Sequence, residues 1–412
     1  MMQQISISSA LVKKEEKQDF KVIGYYSELL FDDPVDQVLQ WDKLTHVMYA
    51  FLIPKEDGTF ERLAKPDRLK EIVEKAHKNN VKVFIALGGW SYKNQALDPV
   101  FEKLAAKEET RRSLSKNLLK FVVENNLDGV EIDWEYPDLG ESALNYEKLV
   151  LQIKKDMSSQ KKEVTAALNG AWSKTEGPEV SKAVSEKCLK AFDFITVMSY
   201  DTNNDNHAPY SHAETSIAYW VNRGVSSKRI VLGMPLYARP SWKQYRHIVA
   251  ENPENAYRDF SQGARPEMNS YYNGLNTIGE KTRMCLKSAG GVMLFDINED
   301  AQGDLSVTKR IKDMKDYFNQ NEAKFKESIW INYLGREIPL SEYSQIGEAK
   351  RDSKGRILLP LEFSKLIGSE LPYEEKIVIG DKIYVPARFA LESLGYKITW
   401  VAGSQVLKIE NK

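Results

Sequence analysis

The 412 residues are enough for one large domain and a small one, and with 42% apolar residues the chain can fill a sizeable core. Its 58 basic and 59 acidic side chains leave a net charge of −1, which excludes a surface built to hold nucleic acid and suits neutral partners such as sugars. No apolar run approaches the roughly 20 residues that a membrane-spanning helix needs.

In chain order, the first 19 residues read as a polar N-terminal extension. Their one apolar cluster, Ile5 to Val12, is broken by serines and does not make an intact signal peptide. Eight short β-rich runs follow: Lys21–Tyr26, His46–Phe51, Lys82–Leu87, Gly129–Asp133, Glu163–Leu168, Phe194–Met198, Arg229–Met234 and Gly290–Phe295. Between them lie stretches with apolar residues at helical spacing. Pro66–Asn79 carries Leu69, Ile72, Val73 and Ala76, and Glu108–Asn126 carries Leu114, Leu118, Leu119, Val122 and Val123. Glu141–Met157, Thr215–Arg223, Tyr271–Lys287 and Ser306–Phe318 read likewise. This alternation predicts an α/β protein, a (β/α)8 TIM barrel over residues 20–320. A doubly wound open sheet is the alternative, but it calls for a Gly-rich nucleotide turn that the chain lacks. Cys188 and Cys285, both in predicted helices, are too few for a disulfide framework and read as buried free thiols.

From Trp330 the texture changes to short strands and turns. Pro360-Leu361-Glu362-Phe363 and Pro386-Ala387-Arg388-Phe389 recur at an offset of 26 residues, each before a short helical run. A β-turn-α unit used twice predicts a small α+β domain over 328–412.

The strongest chemical signal is Leu127-Asp128-Gly129-Val130-Glu131-Ile132-Asp133-Trp134-Glu135-Tyr136-Pro137. Alternation along a strand places Glu131, Asp133 and Glu135 on one face and Val130, Ile132 and Trp134 on the other. The apolar set is expected against the helices, and the acidic set inside the barrel, ending at its C-terminal mouth. Three neighbouring carboxyls cannot all ionise easily in a low-dielectric interior, so at least one is held protonated and available as a general acid. Tyr26, Trp90, Tyr136, Trp172, Tyr237 and Trp242 fall at or beyond strand ends, where aromatic faces can stack on sugar rings. His207 and His212 share a loop, but no third ligand stands at metal spacing, so neither a metal nor a cofactor is expected. No Gly-x-Ser-x-Gly elbow is present.

Asp128-Gly129 with Asp133-Trp134-Glu135-Tyr136-Pro137 at the end of a fourth strand resembles the signature of glycoside hydrolase family 18. Gly24-Tyr25-Tyr26, Gly88-Gly89-Trp90, Met198-Ser199-Tyr200-Asp201, Gly233-Met234-Pro235-Leu236-Tyr237-Ala238-Arg239 and Gly291-Val292-Met293-Leu294-Phe295 follow at successive strand ends. The resemblance covers roughly residues 20–318. It implies retaining, substrate-assisted, chitinase-like hydrolysis of β-1,4-linked N-acetylglucosamine polymers. Glu135 would be the acid and base, Asp133 would orient the acetamido group, Tyr200 would hydrogen-bond its carbonyl oxygen, and Asp201 would hold either that group or Glu135 in place. Glu131, Tyr26, Trp90, Tyr136, Met198, Tyr237, Arg239 and Phe295 would line the substrate. Three positions depart from the family's commonest pattern: Glu131 replaces Asp, Ala86 replaces Ser and Phe295 replaces Trp. A longer Glu131 beside a smaller Ala86 can fill the same space, and Phe295 keeps an aromatic platform of smaller area. The link 240–289 is too short for the α+β insertion that walls the cleft of many relatives, which points to an open groove and to endo action, cutting within chains. A non-catalytic sugar-binding barrel, or the same chemistry on peptidoglycan or an N-glycan core, are the alternative readings.

The C-terminal stretch Tyr384-Val385-Pro386-Ala387-Arg388-Phe389, with Leu394-Gly395-Tyr396-Lys397-Ile398-Thr399-Trp400, resembles copper amine oxidase N-terminal-like domains. No histidine or cysteine follows Cys285, so copper is not expected there. The resemblance implies a secreted or cell-wall-associated protein whose small domain contacts the wall or serves as a structural appendage.

Overall fold

The computed structural model describes residues 20–29, 32–203, 205–338 and 343–412. The expected extension, 1–19, lies outside them. Eight parallel strands close into a barrel: β1 (Lys21–Ser27), β2 (His46–Leu52), β3 (Lys82–Gly88), β4 (Gly129–Asp133), β5 (Glu163–Asn169), β6 (Ile195–Met198), β7 (Ile230–Pro235) and β8 (Gly291–Phe295). Each neighbours the next, and β8 closes onto β1 through Lys21↔Gly291 to Gly24↔Leu294. The outer ring comprises α1 (Val35–Val38), α2 (Pro66–Lys78), α3 (Glu108–Glu124), α4 (Glu141–Ser159), α5 (Glu186–Ala191), α6 (Tyr210–Asn222), α7 (Leu275–Ser288) and α8 (Val307–Gln320). This is the expected (β/α)8 fold.

Two hydrophobic layers follow from strand alternation. The outer one packs Val130 and Ile132 of β4, with Trp134 just beyond it, against the helices. Trp134 stacks on Phe101 at 5.1 Å and donates to Asp98, both on a helix over Asp98–Ala106. The inner layer holds Ile23, Tyr25, Met48, Phe84, Ala86, Phe194, Val231 and Met293. His46 meets Phe84 and Phe194 edge-on in it, so the barrel is a packed core, open to chemistry only at its top. Cys188 and Cys285 are buried and unbridged.

The sequence reading starts α7 four residues early. Tyr271 instead pairs with Arg239 and Phe260 in a small antiparallel sheet of two-residue strands, and the helix begins after Gly274. That sheet and the helix Tyr245–Glu251 are the substance of the β7–α7 link.

Residues from Ile329 onward form a small strand-rich domain with its own apolar cluster. One sheet runs Arg336–Glu337, Trp330–Tyr333, Val406–Asn411, Tyr396–Val401, with the middle two parallel. The other runs Lys350–Arg351, Ile357–Pro360, Lys382–Pro386, Ile377–Ile379. The two Pro-containing copies pair with each other: Leu358↔Pro386, Leu359↔Val385, Pro360↔Tyr384. Residues equivalent in the repeat cross over symmetrically about Leu359 and Val385, so the duplication forms a local two-fold.

The domain seats on α7 and α8. Arg283 and Arg310 both bond Glu337, and Arg283 also lies 4.6 Å over the Trp330 ring. Trp330 packs on Phe325 and Tyr317. Asn276 bonds the Gly335 carbonyl and the Glu337 amide.

Candidate active site

The mouth is built upward from the barrel's middle layer. Glu131 sits opposite Ala86 on β3 and is fully buried. Its longer arm turns across the barrel, accepting from the Thr196 hydroxyl at 2.6 Å and from the Tyr25 hydroxyl. Burial pushes it up to about 7, against the pull of those two donors. Asp133, one pleat higher, is also buried, and its Oδ1 has no hydrogen-bond partner among the described residues. Burial, then the charges of Glu135 and Glu131, hold it well above the usual carboxylate range. Gly88 (φ +114°) allows this close packing, because a Cβ there would lie 2.3 Å from the Asp133 carbonyl oxygen.

Glu135 stands past the end of β4, partly exposed. Burial raises it to about 7, with Tyr136 pulling it back and the charge of Asp201 adding to the rise. A carboxyl with this environment can be protonated near neutral pH and still give its proton up.

Tyr200 closes the floor from β6. It stacks on Phe295 at 6.1 Å and 17°, and Phe295 also meets Tyr25 and Tyr237 edge-on. Gly233 makes room for it: a Cβ there would be 2.9 Å from the Tyr200 ring and 2.7 Å from the Val197 carbonyl. Asp201 accepts from the Tyr237 hydroxyl at 2.7 Å, with His207 Nδ1 at 3.2 Å and Arg239 at 3.7 Å from its other oxygen. Burial would raise Asp201, but these partners outweigh it and the net shift is downward. One carboxylate is thus held ionised beside others that resist ionisation.

Two hollows flank the Tyr200–Phe295 stack. One, about 310 Å3, is lined by Glu135, Tyr136, Asn169, Trp172, Met198 and Asp201 among others. The other, about 220 Å3, is lined by Phe295, Phe51, Tyr92, Glu28 and Arg62 among others. Three tryptophans stand exposed on the barrel: Trp90 (62%), 6.3 Å from Tyr136; Trp172 (67%); and Trp242 (61%), stacked on Tyr237 and covered by Arg239.

The residues expected at the site therefore converge, with one correction. Tyr26 is fully buried in the outer layer, stacked on Tyr49 at 5.8 Å. Its neighbour Tyr25 is the one that enters the barrel, because alternate residues of β1 face opposite sides. Asn169 and His207 belong to the site and carry no motif that marks them. His212 does not join His207 but rests against Gly170, where a Cβ would lie 2.4 Å from its Nε2.

A sequence model described as glycosyl hydrolases family 18 matches residues 21–300. This chain belongs to that family. Among solved structures, a family 18 chitinase of Flavobacterium johnsoniae is 24% identical with a TM-score of 0.61, covering 74% of this chain and 96% of its own. A chitinase of Bacteroides thetaiotaomicron is 26% identical with a TM-score of 0.60, covering 71% and 96%. In sequence, Chitinase 1 of Aphanocladium album is 26% identical over 266 residues, 53% of this chain and 62% of that protein. Probable chitinase 10 of Drosophila melanogaster is 27% identical over 262 residues, 55% of this chain but only 11% of that protein. The chain spans less than two thirds of either curated relative.

Proposed function

We propose that this family 18 chain hydrolyses β-1,4-linked N-acetylglucosamine polymers with retention of configuration, the substrate supplying its own nucleophile. The observation that carries the reading is Asp133: a buried carboxyl with a partnerless oxygen, beside an acid raised to about 7. An acetamido N–H would satisfy that oxygen, and the Tyr200 hydroxyl would donate to the acetamido carbonyl oxygen. As that oxygen bonds to the anomeric carbon, the glycosidic bond breaks and its oxygen takes the Glu135 proton. Glu135, now a carboxylate, removes a proton from the water that opens the oxazolinium ring. Preorganised polar groups of this kind account for a large part of many enzymes' rate.

Endo action is supported by the hollows on both sides of Phe295 and by a β7–α7 link that holds two-residue strands and the seven-residue helix Tyr245–Glu251. Relatives named chitinase-like effector, such as that of Moniliophthora perniciosa, favour a second reading as a sugar-binding barrel; the presence of Glu135 opposes it. Extracellular location accords with a relative named secreted chitinase from Penicillium expansum. Wall contact by the small domain rests on its resemblance alone.

The test compares wild type with Glu135→Gln on a chromogenic diacetylchitobioside and on chitin oligomers. Turnover is expected to fall by at least about a thousandfold, with oligomer binding retained. Equal turnover in the two proteins would remove Glu135 from its role. Binding without turnover in wild type would favour the second reading.

A further inference from the structure

His207, like Asn169, belongs to the site but lies outside every matching motif, and its setting is closely fixed. The ring is 1% exposed and lies 5.2 Å from the Tyr237 ring. Its own carbonyl accepts from the Thr202 amide and hydroxyl, while the next carbonyl, Ala208, accepts from Asn273 and from the buried Lys281 ammonium. The backbone on each side of the ring is thereby pinned, one side to the β6 end and the other to α7.

Nδ1 faces Asp201 twice, at 3.2 Å from Oδ1 and at 3.4 Å from the backbone nitrogen. One ring nitrogen cannot donate and accept at once. The shorter, charge-assisted contact decides in favour of Nδ1–H donating to the carboxylate. Nε2 is buried without a partner among the described residues. A bare lone pair there costs less than a bare N–H, which also favours the proton on Nδ1.

We propose that His207 is a positioning residue of the hydrolase: its Nδ1–H fixes the Asp201 carboxylate in the wall of the hollow that Asp201 shares with Glu135. The proposal rests on the hydrolase reading above. The charged and titratable groups around the pair are Tyr200 on the β6 end, Tyr237 and Arg239 beyond β7, Glu135 beyond β4 and Lys281 behind Ala208. Glu299, beyond β8, acts on Tyr237 from further off. Apart from Tyr237 and Arg239, no group among these contacts both supports and reaches Asp201, so loss of the imidazole leaves its Oδ1 with the longer arginine contact alone.

The experiment compares His207→Phe, which keeps the ring against Tyr237, with His207→Asn, whose amide can return a donor near the Nδ1 position. In His207→Phe, kcat on chitin oligomers is expected to fall about tenfold with KM within about twofold. The acid limb of the pH profile should move toward neutrality by about one unit. His207→Asn should restore the limb and recover kcat to within about threefold of wild type. A merely structural role predicts a parallel loss with unchanged limbs, and that result, or an Asn variant no better than Phe, overturns the proposal. A second readout needs no activity: the 15N ring shifts of His207 in wild type at one fixed pH, which tell Nδ1–H from Nε2–H. A proton on Nδ1 with Nε2 bare is the expected pattern, and the reverse refutes the pairing. Inactivity of wild type on every N-acetylglucosamine polymer would sink the hydrolase reading while leaving that measurement decisive for the pair.

Discussion

Glu131, Asp133 and Glu135 share an environment that opposes charge on each of them, whereas Asp201 is held by donors that favour its charge. A raised acid must be protonated to act, so activity is lost as pH rises through its folded value. For Glu135 this predicts a kcat/KM plateau at acid pH that declines above about 7, approaching tenfold per unit. A profile measured from pH 4 to 9 checks it; a decline centred near 4.5, the ordinary value, would mean the site does not shield Glu135. Stability carries the same sign. Between 4.5 and about 7 the folded protein keeps a proton on Glu131 that the unfolded chain has released, so stability falls as pH rises through that window. The acidic run and its inward face were legible from alternation, because Glu131, Asp133 and Glu135 are separated from Val130, Ile132 and Trp134 by polarity itself. Tyr25 and Tyr26 were not separable that way: adjacent tyrosines offer the same chemistry to either face, and only the register of β1 decides. The sequence offered His207 only as a rejected metal ligand, and its place in the site was missed because its partners Asp201 and Tyr237 come together only when β6 and β7 lie side by side.

At the level of strands and helices, β7 shows how backbone space sets the site. Gly233→Ala would drive a methyl to 2.7 Å from the Val197 carbonyl, which belongs to the neighbouring strand and cannot turn aside. A loss of about 1–3 kcal/mol in unfolding free energy is expected. The displaced Tyr200 ring should lower kcat by at least about tenfold, with far-UV circular dichroism unchanged. Full activity in this variant would mean that Tyr200 relaxes without consequence. All eight strands were readable to within a residue because each is a short apolar run between helices buried on both faces. Helix ends were less so. Tyr271 and Tyr272 extend the apolar pattern of α7 backward, yet Gly274 and the pairing of Tyr271 with Arg239 stop the helix at Leu275. The helix Asp98–Ala106 escaped notice because it is short and opens on Asp98-Pro99, although it carries Phe101, the ring on which Trp134 stacks.

Across the whole molecule, the barrel and small domain are joined by a buried charge cluster rather than by a flexible tether. Glu337, 5% exposed, is the sole carboxylate among the described residues bonded to both Arg283 and Arg310. Glu337→Ala would strand two guanidinium groups, one of them fully buried, and is expected to cost about 3–5 kcal/mol. Calorimetry should show a lower melting point and, for this variant, a small-domain transition separated from that of the barrel; an unchanged thermogram would mean the cluster is not what joins them. The duplication within the small domain was readable from the spacing of Pro360 and Pro386, but the clamp was not, since Arg283, Arg310 and Glu337 lie on three separate elements with no shared pattern. The parallel pairing of Trp330–Tyr333 with Val406–Asn411 also has a meaning in time. Trp330 shares the barrel-side cluster with Val406, so the face of α7 and α8 that they cover stays incomplete while the intervening segment is translated. At ordinary synthesis rates that interval is on the order of ten seconds. For that long Trp330, already laid over Phe325 and Arg283, waits for the strand that pairs with it and completes its cover.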